Sequence, residues 1–219
     1  LRTAPSWTSS RSWRPIARFI AEQGAAPGMQ LAHAGRKAST ASPWNGGKEV
    51  KPEAGGWDVV APSALRFDEG YPMPAAMTTA QIDEVVEAFG VAAARAHAVG
   101  FRVLEIHAAH GYLIHEFLSP LSNQRTDEYG GSQENRFRFL RRILASVRAK
   151  VPESTPIFVR ISATDYVEGG WDLEGSVALA EVIENDGVDL LDVSSGALSP
   201  LQKIDIGAGY QVSFAGEIR

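Results

Sequence analysis

A short, largely apolar run, Val103 to Ile106, leads directly into His107, and His110 and Tyr112 follow within six positions. A short apolar run of this kind suits a buried strand, and its sharp polar end puts acid/base side chains at the strand's carboxyl terminus. The residues before it fix its context. Thr78 and Gln81 have capping-box spacing. Ile82, Val85, Val86, Phe89, Ala92, Ala93 and Ala96 then recur at helical spacing up to a stop near Gly100. A helix that ends at Gly100 and a strand that starts at Val103 form one step of an α/β repeat.

The step recurs. Residues 133–150 carry Phe137, Leu140, Ile143, Leu144 and Val147 on one face, and Ile157–Ile161 follows as a strand. A second helix, after Asp172, carries Leu173, Val177, Ala180 and Ile183 and stops at Gly187, before a strand over Val188–Val193. Met29–Ala32 reads as an earlier strand, followed by His33 and Arg36. Strands that alternate with helices predict a parallel sheet, and α/β barrels keep their active sites at the carboxyl ends of such strands.

The cluster His107, His110 and Tyr112 admits three uses. The histidines could simply cap a strand end. They could chelate a metal, although zinc sites usually take three or four protein ligands, and this chain has no cysteine and no carboxylate in an obvious ligand pattern. Or two imidazoles and a phenol could converge on one oxygen, stabilise charge that develops there and supply a proton.

Composition excludes other classes. Lys and Arg number 21 against 26 Asp and Glu, a net charge of −5 without a basic block, so no electrostatic footprint for nucleic acid is present. No apolar run approaches the roughly 20 residues of a membrane span, and no apolar signal core opens the chain. The absence of cysteine suits a reducing compartment, and a cytoplasmic location is expected. A complete barrel takes about 250 residues, so 219 reads as an interior piece of one. Leu1 to Arg14 is rich in Ser, Thr and Arg and reads as an irregular or non-native segment. From Pro15 a short helix with Ile16, Phe19 and Ile20 on one face is expected, and 15–219 as an incomplete barrel domain.

The run from His107 through Gly-Tyr-Leu-Ile-His-Glu-Phe-Leu-Ser-Pro to the Asn-Gln-Arg-Thr-Asp-Glu-Tyr-Gly-Gly of residues 123–131 closely resembles the Old Yellow Enzyme family, and within it the bacterial branch of xenobiotic reductases and thermophilic-like ene-reductases. Gln30-Leu-Ala-His-Ala-Gly-Arg36 and Phe158-Val-Arg-Ile-Ser-Ala-Thr-Asp165 match the same family. The resemblance implies an α/β fold that is a partial TIM (β/α)8 barrel, about strands 3 to 6 with their helices. It implies FMN as cofactor and NADPH or NADH as reductant. The implied activity is reduction of the activated C=C bond of α,β-unsaturated carbonyl or nitro compounds. His107 and His110 would bind the substrate oxygen, Tyr112 would be the proton donor, and Gln30 and Arg160 would contact the flavin. Arg36 is expected in a loop salt bridge, His97 and His115 in structural roles, and Asn123, Arg125, Asp127 and Tyr129 in a self-bonding turn network. Ser194-Ser195-Gly196 could cradle a phosphate through backbone N–H groups, but the resemblance argues against it, because the family holds phosphate after strands seven and eight. The family's first two and last two strands have no counterpart here. The alternative is therefore a non-catalytic barrel fragment with weak or no FMN binding. Small-molecule substrates and homo-oligomers are the partners expected.

Overall fold

The computed structural model describes residues 8–219. Six α-helices are present among them: α1 (Thr8–Glu22), α2 (Thr79–Val99), α3 (Leu113–Leu118), α4 (Gln133–Arg148), α5 (Leu173–Asn185) and α6 (Val212–Ile218). The strands are β1 (Gly28–Leu31), β2 (Val60–Ala61), β3 (Ala75–Ala76), β4 (Val103–Ala108), β5 (Ile157–Ser162) and β6 (Leu190–Ser194). The main sheet is wholly parallel in the order β1-β4-β5-β6, and β2 pairs with β3 in a small separate sheet. This is the partial (β/α)8 barrel expected from the sequence, with its two end strands unpaired on their outer sides among the described residues.

The two faces of the sheet differ in chemistry. Leu104, Ile106, Ile157, Val159 and Ile161 alternate onto one face and pack in a single core with α2 and α4. Every residue assigned to the inward face of α4 is buried, from Phe137 to Val147. Each such side chain contributes roughly 1.5–3 kcal/mol, so together they far exceed the ~1 kcal/mol of a helix cap. Burial, then, is what holds α4 on the sheet. The cap still sets where a helix begins. The Thr78 side chain accepts the Gln81 N–H at the start of α2 while Gln81 reaches back to Thr78, and left-handed Gly100 closes the other end.

The opposite face carries Gln30, Glu105, Phe158 and Leu190 in one register row and His107, Arg160 and Asp192 in the next. It is the side that a complete barrel would enclose.

Three expectations are corrected. Residues 8–14 are helical, because α1 runs from Thr8 straight through Pro15. The Trp13 ring packs edge-on against Phe101 at 6.4 Å, a tertiary contact that local sequence does not show. The part of the irregular-segment expectation covering residues 1–7 lies outside the described residues. In α1 it is Ala17 that is buried, while Ile16 and Phe19 are exposed. In α5 the buried stripe is Ser176, Leu179 and Ile183 rather than Val177 and Ala180. Ser176 is drawn inward because it accepts the Trp171 indole N–H at 2.8 Å and donates to the Ala163 carbonyl at 2.9 Å.

Candidate active site

β4 continues two residues beyond its apolar run, so His107 lies within the strand and His110 in the turn that follows. That turn is tight. His110 and Gly111 are both left-handed, with φ of 59° and 69°. At Gly111 a Cβ would stand 2.4 Å from the Ala197 carbonyl oxygen, so only glycine fits. Tyr112 then caps α3. The His107 ring centroid is 5.1 Å from that of His110 and 5.2 Å from that of Tyr112, both edge-on. The three residues expected to act together are therefore adjacent in space.

Both imidazoles are neutral at pH 7. Burial, the neighbouring His110 and the Arg160 guanidinium push the His107 pKa down to about 4. Burial and Arg160 do the same to His110. A neutral imidazole has one N–H donor and one acceptor nitrogen, so each ring has a single proton to offer. Nδ1 of His107 is buried and has no hydrogen-bond partner among the described residues. Nε2 of His110 lies 2.7 Å from Ser194 Oγ. Among the described residues no three His, Asp or Glu side chains converge as metal ligands.

Gln30 and Arg160 are on the same sheet face as His107, Arg160 in its register row and Gln30 in the row before. The Gln30 amide donates to Glu105 at 2.6 Å, and Arg160 Nε stands 3.3 Å from Asp192 Oδ2, with both side chains of that pair about one-third exposed. Pairs this exposed are weak and separate at little cost. An amide and a guanidinium on one sheet face fit the edge of a planar heteroaromatic ring such as the isoalloxazine of FMN.

Other side chains complete the surroundings. Lys37 donates to the carbonyls of His110 and Ala197 and lies 4.1 Å above the Phe67 ring. Burial, then repulsion from Arg36, lowers its pKa to about 8. Arg36 is structural, but not through a salt bridge. It is buried and donates to the backbone carbonyls of Leu198 at 2.9 Å and Leu65 at 3.3 Å, pinning two loops. Asn123, Arg125, Asp127 and Tyr129 do form the expected network: Asn123 donates to the Tyr129 carbonyl, and Asp127 accepts from Arg125 and from the Tyr129 N–H. Ser194 places its hydroxyl against His110. Sequence offered no signal for that contact, since 84 positions separate the partners. The same holds for Lys37.

Residues 6–212 match the family model of the NADH:flavin oxidoreductase / NADH oxidase family. The chain is 51% identical over 200 residues to an NADPH dehydrogenase of Bacillus subtilis (strain 168), which covers 91% of this chain and 54% of that protein. It is 48% identical over 220 residues to an NADH:flavin oxidoreductase of Gibberella zeae, covering 93% and 53%. Among solved structures, an old yellow enzyme homologue from Zymomonas mobilis superposes with a TM-score of 0.76 at 28% identity, over 98% of this chain and 59% of that one. Morphinone reductase gives 0.73 at 27% identity, over 96% and 59%. The chain thus spans about half the length of the relatives it matches. No helix among the described residues is long and apolar enough to cross a membrane.

Proposed function

The chain belongs to the NADH:flavin oxidoreductase / NADH oxidase family, that of the Old Yellow Enzymes, and on that premise we propose that it carries the substrate-activating half of an ene-reductase site. Its substrates are alkenes conjugated to a carbonyl or nitro group. The observation that carries this is the juxtaposition of His107, with its buried and unpartnered Nδ1, against His110 and Tyr112. A buried polar atom without a partner calls for an explanation, and a bound ligand supplies one.

FMN, when bound, supplies a hydride to the substrate's β-carbon, and NADPH or NADH renews it. Gln30 and Arg160 would hold its ring. The chain's own residues do the rest. As the β-carbon gains the hydride, negative charge builds on the carbonyl or nitro oxygen. His107 and His110, each neutral, donate N–H bonds to that oxygen. Their neutrality suits the task, because an imidazolium would tend to give up its proton outright. The Tyr112 phenol delivers a proton to the α-carbon, which balances the hydride and leaves a saturated product. Removing one donor to a developing oxyanion costs about 3 kcal/mol, a factor of roughly 100 in rate.

The test is visible absorbance of the purified chain after incubation with FMN and desalting, followed by titration with a phenol. A retained flavin band that phenol perturbs is expected, with phenol binding weakened about tenfold in His107→Ala. Undiminished phenol affinity in a flavin-loaded His107→Ala protein would count against the histidine clamp. A folded chain that retains no flavin would favour the second reading, a barrel fragment without catalysis, which the two unpaired sheet edges support.

A further inference from the structure

His115 and Asp165 are both fully buried, and each bears an ionisable group. Taking such groups out of water costs several kcal/mol per ion unless each finds well-placed partners. Their partners point toward the candidate site. His115 Nδ1 accepts the backbone N–H of Gly111 at 2.9 Å. Nδ1 is therefore unprotonated, and the ring's proton sits on Nε2, which stands 3.0 Å from Asp165 Oδ1. The second oxygen of Asp165 accepts from Ser119 Oγ at 2.6 Å and from the Trp171 N–H at 2.8 Å. Burial alone would raise the Asp165 pKa, but the adjacent His115 and the bonds from Ser119 and Trp171 outweigh it and hold the carboxyl below its usual range. It is thus a fixed acceptor, and it sets the tautomer of His115.

Gly111 is the residue between His110 and Tyr112, and it completes a turn of two successive left-handed residues. Left-handed backbone costs a non-glycine residue such as His110 about 1–2 kcal/mol, and such conformations persist where surrounding contacts over-determine them. The His110–Gly111 peptide decides where both flanking side chains leave the backbone. We propose that His115 and Asp165 are positioning residues, which act through the Gly111 N–H to hold His110 and Tyr112 in their mutual geometry. The proposal rests on the assignment of His110 and Tyr112 to the site. The competing account is a purely local one, in which His115 merely satisfies an amide at the start of α3.

NMR of the 219-residue chain with 15N-labelled histidine and glycine separates the two. Expected in the wild type are an unprotonated His115 Nδ1 and a slowly exchanging Gly111 amide. In His115→Phe the Gly111 amide should exchange about tenfold faster, and the His110 and Tyr112 ring signals should move. His115→Gln can accept from Gly111 through its oxygen and donate to Asp165 through its amide, so it should restore both. Asp165→Asn should disturb the same three signals, since a carboxamide turned toward His115 opposes one N–H with another. A protonated Nδ1 in the wild type would overturn the proposal even if the phenylalanine variant fails to fold. Ring signals of His110 and Tyr112 that ignore His115→Phe in a folded protein would also overturn it. These readouts need no cofactor, so failure to bind FMN would defeat the functional reading and leave this one to be decided separately. In flavin-loaded protein, phenol affinity should fall with His115→Phe and return with His115→Gln.

Discussion

At the scale of single residues, the low pKa of the site histidines makes a definite statement about acid stability. The His107 pKa falls from 6.5 to about 4 on folding. Between those values the unfolded chain binds the proton that the folded chain refuses, so stability declines as pH is lowered through this window and levels off below it. At pH 5 the loss from His107 alone is about 2 kcal/mol. Urea midpoints at pH 7 and pH 5 should therefore differ less in His107→Ala than in the wild type. An equal pH dependence in the two would mean that water reaches the imidazole and burial does not govern it. The spatial cluster of His107, His110 and Tyr112 was legible in the sequence because the three fall within six positions of one another. Their supports were not, because those contacts close only in three dimensions: Ser194 lies on the far edge strand, and Asp165 lies 50 residues past His115. Nothing in local pattern distinguishes His115 from any other helix histidine. Even Gln30 and Arg160, placed on one sheet face by strand alternation, turn out to have carboxylate partners, Glu105 and Asp192, that alternation could not assign.

Among the elements, α3 shows what periodicity misses. All six of its residues are buried, so it has no polar face and no helical repeat to recognise. The opposite case is α2, whose two faces and two caps are explicit in its residues. Within α3, Glu116 is fully buried, and its Oε1 accepts the Arg36 N–H at 2.9 Å. Burial raises its pKa to about 8, against the smaller opposing pull of Arg36 and Lys37. Here the folded chain holds a proton that the unfolded chain releases between pH 4.5 and 8, so stability falls as pH rises across that range. Glu116→Gln cannot ionise and escapes the penalty. Relative to the wild type it should gain stability from pH 5 to pH 8.5, by up to about 4 kcal/mol, as read from thermal midpoints in matched buffers. A constant offset between the two proteins across that range would show that the carboxylate ionises in place. Packing around this element is close: at Gly35, which is left-handed, a Cβ would stand 2.2 Å from the Glu116 carboxylate. The turn after β1 and helix α3 therefore meet with no room for a side chain at Gly35.

Over the whole molecule, the fold class was legible from the alternation of helix and strand. What local sequence could not show is how four parallel strands manage without neighbours. Parallel sheets are nearly always covered on both faces. Here one face is packed by helices, and the other presents Leu190 at 44% exposure in the same row as Phe158, Glu105 and Gln30. Alongside β6, the cleft between α5 and α6 is lined by Val177, Leu191, Val193 and Ile218 together with Glu181, Glu184, Asp189 and Glu217. An unpaired strand edge next to exposed apolar surface is a template for pairing with another chain. The 219-residue chain is therefore expected to self-associate as its concentration rises, with copies meeting at β6. Leu190→Lys sets a charge on that edge, where an exposed side chain contributes little to the monomer's own stability. Sedimentation velocity from micromolar to several hundred micromolar should show mass rising in the wild type and a monomer retained in Leu190→Lys, with thermal midpoints of the dilute proteins nearly equal. If both associate alike, the contact lies elsewhere, with the β1 edge as the remaining open strand. If neither does, the polar members of the exposed rows, Glu105, Arg160 and Asp192 among them, are enough to keep half a barrel in water.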